Sequence, residues 1–173
     1  AYVRGLQGND PFFLKAAACA KHYAVHSGPE ALRHEFNASP SKRDLFETYL
    51  PAFEALVKEA KVEAVMGAYN RVYGESASGS FFLLTDILRK KWGFKGHVVS
   101  DCGAVDDIYG GHKIAKDVAE ASAIALKSGL NLNCGGSFHA LKEALERKLI
   151  TEVDLDNALM PLMMTRLKLG NLT

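Results

Sequence analysis

Short apolar runs alternate with longer amphipathic stretches along this chain, and that order constrains the fold more than any single residue does. Four runs read as buried strands: Ala16 to Val25, Val62 to Tyr69, His97 to Cys102 and Leu130 to Cys134. Between them, Pro40 to Ala60 places Leu45, Tyr49, Leu50, Phe53, Leu56 and Val57 near helical spacing behind Ser41, a residue suited to cap a helix N-terminus. Phe81 to Trp92 repeats the pattern with Leu84, Ile87 and Leu88 and stops at Gly93, as a helix C-terminus does. Further helices are expected over Ile114 to Ser128, Phe138 to Lys148 and Thr151 to Leu169, the last opened by Thr151 and Asp154 in capping-box spacing. Strands alternating with helices predict parallel βαβ units and therefore an α/β fold. Spacing alone leaves a doubly wound sheet and a (β/α)8 barrel both open. In either architecture, functional side chains gather where strands end and loops begin.

Composition narrows the partner. The 173 residues hold 21 Lys and Arg against 20 Asp and Glu, so no charge footprint for a nucleic acid or an anionic membrane exists, and a neutral small molecule fits better. No apolar run is long enough to span a bilayer, and the start carries neither a basic nor an apolar leader region. Cys19, Cys102 and Cys134 are far apart and lack CxxC spacing, which indicates neither a disulfide framework nor a zinc site. Free thiols, behaving as small buried hydrophobes at strand positions, are expected.

The strand ends carry the chemistry. Lys21 and His22 leave the first run together, a cation and an imidazole able to bind hydroxyls, a phosphate or a carboxylate. The second run contains Met66 and ends at Tyr69, which offers a hydroxyl and an aromatic face. The third ends in Ser100-Asp101-Cys102-Gly103, with a carboxylate on a rigid element aimed at the mouth of a barrel. That Asp reads as a nucleophile, a general base or a metal ligand. Asp106 and Asp107 follow, but without the Asp/Asn ladder and Gly of a calcium loop, so neither a metal nor a cofactor is expected. The fourth run brings Asn131 and Asn133, which hydrogen bond but carry no charge.

Five blocks taken together, Lys21-His22-Tyr23-Ala24, Met66-Gly67-Ala68-Tyr69-Asn70-Arg71-Val72, Leu83-Leu84-Thr85-Asp86-Ile87-Leu88-Arg89, Trp92-Gly93-Phe94 and Val98-Val99-Ser100-Asp101, resemble family 3 glycoside hydrolases in order and spacing. The resemblance implies an exo-acting retaining β-glycosidase with Asp101 as nucleophile, Lys21 and His22 holding sugar hydroxyls, and Tyr69 and Met66 beside them. Ser27-Gly28-Pro29-Glu30 followed by Arg33-His34-Glu35-Phe36-Asn37-Ala38 is similar to the β-xylosidase branch, in which Arg33 would reach the substrate. Cys102 points the same way, because β-glucosidases of the family often have Trp there, and the size of that residue tunes room around the sugar's C5 substituent. A further branch, the N-acetylglucosaminidases, would use His34 as a proton donor, but its Asp partner is replaced by Leu32.

The resemblance also implies that residues 1–173 are a partial N-terminal domain, about the last four βα units of a (β/α)8 barrel. The early half-barrel and the C-terminal domain with the acid/base residue would lie outside them, which leaves the compartment open. Unpaired sheet edges are then expected to favour self-association or pairing with the other barrel half. Asn131 stands where the family often has Asp, a change that bears on the site. Two other readings compete: a lyase or aldolase using Lys21 as a Schiff base, and a non-catalytic sugar-binding half-barrel.

Overall fold

The computed structural model describes residues 1–171. Its elements are α1 (Tyr2–Gln7), β1 (Cys19–Tyr23), β2 (Asn37–Ala38), α2 (Lys42–Asp44), α3 (Pro51–Lys58), β3 (Ala64–Gly67), β4 (Arg71–Val72), β5 (Glu75–Ser76), β6 (His97–Ser100), α4 (Ala104–Tyr109), α5 (Val118–Ser128), α6 (Leu141–Glu146) and α7 (Glu152–Lys168). Two π-helical stretches, Leu45–Tyr49 and Phe81–Lys91, complete the helical layer. The central sheet is parallel in the order β1-β3-β6, with Ala64 opposite Cys19 and His97 opposite Ala64. Successive strands of this sheet are neighbours and helices make the crossovers, so the α/β expectation holds.

The fourth expected strand is reduced to one bridge, Val99 to Leu132. The cause is local. The Asn131 side chain takes the Val98 N–H at 2.7 Å, so a side-chain oxygen occupies a donor the ladder would use. The same buried amide accepts from Arg89 at 2.7 Å and donates to the Ala158 carbonyl at 2.8 Å. Asn131 therefore braces the base of the sheet against α7, contrary to the expectation that it shapes the site.

Ser41 caps its helix as expected, its hydroxyl accepting the Asp44 N–H at 3.0 Å. The expected single helix nevertheless breaks before α3, because Pro51 has no N–H and its ring clashes with the turn behind it. Ser80 caps Phe81–Lys91, Asp117 caps α5 and the Thr151–Asp154 capping box opens α7. A second small sheet, β2-β4-β5, escaped the sequence reading because each of its strands has two residues.

Leu83, Leu84, Leu88, Val65, Val98 and Tyr23 are fully buried between sheet and helices, each large apolar side chain contributing roughly 1.5–3 kcal/mol. Below the sheet, Lys168 Nζ lies 2.9 Å from both carboxylate oxygens of buried Glu63, and Thr165 Oγ1 bridges Glu63 at 2.9 Å and His97 at 3.0 Å. Gln7 accepts the Glu63 N–H, so α1 and α7 close the amino ends of the strands. Gly96 enters β6 against the Glu63 carbonyl, where any Cβ would collide with backbone. The carboxyl ends are left to the loops.

Candidate active site

Asp101 sits one residue beyond β6, and its N–H still donates to the Gly67 carbonyl at 3.1 Å, so the strand ladder fixes its backbone. One carboxylate oxygen, Oδ1, accepts the Cys102 N–H at 2.8 Å. The other, Oδ2, lies 3.3 Å from His22 Nε2. Burial holds the His22 imidazole below its ordinary range against the pull of Asp101, with Lys21, His26 and Arg33 pushing the same way as burial. A neutral His22 donates to the carboxylate when its proton is on Nε2.

The β1 pairing to β3 shifts register between Ala20 and Tyr23, where the Lys21–His22 and Tyr23–Ala24 peptide bonds are cis. Lys21 is exposed and forms no ion pair among the described residues. Met66, half-buried, lies within β3 opposite Val99. Tyr69 donates its hydroxyl to the Cys102 carbonyl at 2.8 Å. Burial, then the nearby Asp101 charge, raises the phenol above its ordinary range, so it remains a donor. Arg33 pairs with Glu30, and its guanidinium lies 5.6 Å from the Tyr69 ring centre. The contacts bring together His22, Arg33, Tyr69, Asp101 and Cys102, whereas no contact joins Lys21 or Met66 to them among the described residues.

The same loops bring in contacts that the sequence did not reveal. His34 packs edge-on against Tyr69 with ring centres 4.6 Å apart, and its Nδ1 lies 2.8 Å from Asp107 Oδ2. Burial raises the Asp107 carboxyl, and the His34 contact opposes that rise. Leu32 removes one partner for His34, but Asp107 supplies another. Cys102 and Cys134 form a disulfide, and Cys19 is free and exposed, which corrects the expectation of three buried thiols. Leu132 bridges Val99, so the residues that follow each reach the rim together, and a separation of 32 residues hides that from the sequence. Cys19 is exposed at the edge of the sheet, where β1 has β3 as its one strand neighbour among the described residues.

Among the described residues no cluster of three or more His, Cys, Asp or Glu is placed to hold a metal ion, and no helix is long and apolar enough to cross a membrane. A cavity of about 460 Å³ between Phe81 and α5 shares no residue with the Asp101 cluster.

Residues 1–164 match the model of the glycosyl hydrolase family 3 N terminal domain. The chain belongs to glycosyl hydrolase family 3. Within family 3, it is 46% identical over 174 residues to a xylan 1,4-beta-xylosidase of Xylanibacter ruminicola, covering 98% of this chain and 20% of that protein. It is 40% identical to the probable beta-D-xylosidase 7 of Arabidopsis thaliana, covering 98% of this chain and 24% of that one. Among solved family 3 structures, a GH3 exo-beta-xylosidase (XlnD) in complex with a xylobiose aziridine activity-based probe superposes with a TM-score of 0.93 at 32% identity, over 98% of this chain and 23% of the other. The beta-glucosidase of Listeria innocua in complex with glucose gives 0.86 at 32% identity, over 97% and 24%. This family 3 segment therefore spans about a fifth to a quarter of the length of the relatives it matches. The likeness extends over all of the described strands, which supports the partial-barrel architecture.

Proposed function

We propose that this chain is the nucleophile-bearing part of an exo-acting retaining β-glycosidase that acts on terminal β-D-xylosyl residues. The observation that carries the reading is the Asp101 carboxylate, fixed at a strand end with one oxygen on the Cys102 amide and the other facing His22. In retaining chemistry the carboxylate attacks the anomeric carbon while a carboxylic acid protonates the departing oxygen. Water, activated by the same second group, then breaks the glycosyl–Asp101 ester and regenerates the carboxylate. His22, Lys21 and Arg33 supply donors for sugar hydroxyls, and Tyr69 buttresses the turn that follows the nucleophile. The acid/base group comes from beyond these residues. The xylosidase names of the relatives support the pentose. So does the Cys102–Cys134 bridge, which makes the segment after Asp101 a fixed wall where a hexose would carry an extra hydroxymethyl group. The open edge of β1 is completed by strands of the remaining catalytic unit or of a second copy.

The test is Asp101→Gly in the complete enzyme. Turnover of an aryl β-xyloside should fall by at least about 10³-fold with an unchanged circular dichroism spectrum, and a 2-deoxy-2-fluoro xyloside should label the peptide containing Asp101 in the parent enzyme only. Near-normal turnover removes the assignment. A second reading is favoured by the His34–Asp107 pair, in which a carboxylate orients an imidazole as a proton donor. Loss of aryl N-acetylglucosaminide cleavage in His34→Asn, with no xyloside cleavage in the parent, would select it.

A further inference from the structure

We infer that the Cys102–Cys134 crosslink is a positioning device for the nucleophile, and that Cys134 is a positioning residue for the glycosylation step. The inference rests on the reading of Asp101 as nucleophile. Hydrogen bonds, not apolar packing, hold the segment 101–103: Asp101 keeps its N–H on the Gly67 carbonyl and Ala104 donates back to the Asp101 carbonyl at 3.0 Å. Cys102 is exposed, and Asp101 and Gly103 are only partly covered, so apolar packing does not lock this turn. Gly103 has a φ of +83°, a conformation that glycine adopts without penalty, and the buried anchor begins only at Ala104.

Regular sheet pairing reaches Asp101 from β3, but on the opposite side of β6 it runs out. The run after Leu130 forms a single bridge to β6, because the Asn131 amide displaces the ladder at Val98. Above that bridge the two strand ends are joined by other means. Ser100 Oγ contacts Asn133 Oδ1 at 3.1 Å and the Cys134 N–H at 3.0 Å, the Gly103 N–H donates to the Cys134 carbonyl at 2.8 Å, and the disulfide closes the clasp. The covalent bond takes over where ladder hydrogen bonds end.

Cys102 is the hub of this clasp. Its N–H holds Asp101 Oδ1, its carbonyl receives the Tyr69 hydroxyl, and its sulfur is tied to the neighbouring strand end. A rotation of the 101–103 turn would move all three together, and with them the oxygen that must meet the anomeric carbon. Misplacing a reacting atom by about 1 Å costs on the order of 10²-fold in rate. The crosslink therefore acts on the rate of bond formation rather than on sugar affinity, since the donors for hydroxyls sit on β1 and the Arg33 loop.

The experiment uses the complete enzyme and three variants, Cys134→Ala, Cys102→Ala/Cys134→Ala and Cys19→Ser. A dithiol reductant offers a second route: it delivers two electrons and two protons to the bond, leaving two thiols and becoming a cyclic disulfide itself. Three quantities are read: kcat and KM for an aryl β-xyloside, the rate of trapping by a 2-deoxy-2-fluoro xyloside, and the inhibition constant of free xylose. Both clasp variants should lose about 10- to 100-fold in kcat and in trapping rate, with KM and the xylose constant within about threefold of the parent. The reductant should reproduce that loss in the parent and in Cys19→Ser and add nothing in Cys134→Ala, which separates this bond from any other disulfide of the enzyme. Parent-like trapping in both clasp variants and in the reduced parent overturns the inference. So does a loss confined to KM. If a variant fails to fold, the reduced parent still decides, provided its near-ultraviolet circular dichroism is retained. Failure of the underlying reading shows differently, as turnover that survives Asp101→Gly.

Discussion

His112 sits in the α4–α5 connection with only 4% of its surface exposed, and among the described residues the backbone of Tyr69 is the one hydrogen-bonding group that opposes the loss of its proton, too poorly placed to make a well-formed bond. Burial, reinforced by the Arg71 charge, pushes its pKa down to about 4. The unfolded chain protonates the same imidazole near its ordinary value of about 6.5. Between those values the unfolded state binds a proton that the folded state refuses, so stability falls as the pH drops from 6.5 towards 4 and is not lowered further by this group below that. The loss is on the order of 2–3 kcal/mol. Urea unfolding at pH 7 and pH 4.5 should show a clearly smaller pH penalty in His112→Gln than in the parent, and equal penalties would refute the assignment. Nothing in the sequence marks this histidine, because its burial is made by the Tyr69–Arg71 segment and the His34 loop packing over it.

At the scale of elements, β1 stands at the edge of the parallel sheet with one partner, and its outer backbone groups are unpaired among the described residues. An edge of this kind pairs with whatever strand it meets. Prepared by itself, the 1–173 segment should therefore run above monomer mass in multi-angle light scattering, and a stable monomer at high concentration would refute the expectation. The three expected strands that formed were legible as short apolar runs, and the caps at Ser41 and Thr151 as hydroxyl residues ahead of amphipathic stretches. What escaped was set by side chains acting across the chain. Asn131 dissolves the fourth strand, and the β2-β4-β5 sheet is too short to show any period. The disulfide depends on which strand ends are neighbours, a fact that composition does not carry. The placement of Asp101 at a strand end was legible from its run of β-branched residues, whereas His22 and Tyr69 were singled out by the family resemblance and Asp107 comes near them only through the turn of α4.

For the molecule as a whole, the Glu63–Lys168 pair ties the entry to β3 to the end of α7. Glu63 is nearly sealed from solvent while Lys168 keeps about a third of its surface in water, so removing the cation leaves a carboxylate with weak compensation. Lys168→Met should cost about 2–3 kcal/mol, less than a fully enclosed pair would because of solvent screening. Glu63→Gln/Lys168→Met should recover part of the loss in guanidinium unfolding. Additive losses would show that the two side chains do not interact. The pair also has a consequence in time. Glu63 leaves the ribosome 105 residues before its cation, so this tie between β3 and α7 cannot form until Lys168 has been made. Synthesis rather than local propensity thus times the closing of that end, and a nascent chain stalled short of α7 presents a wet, unlatched floor to chaperones and proteases.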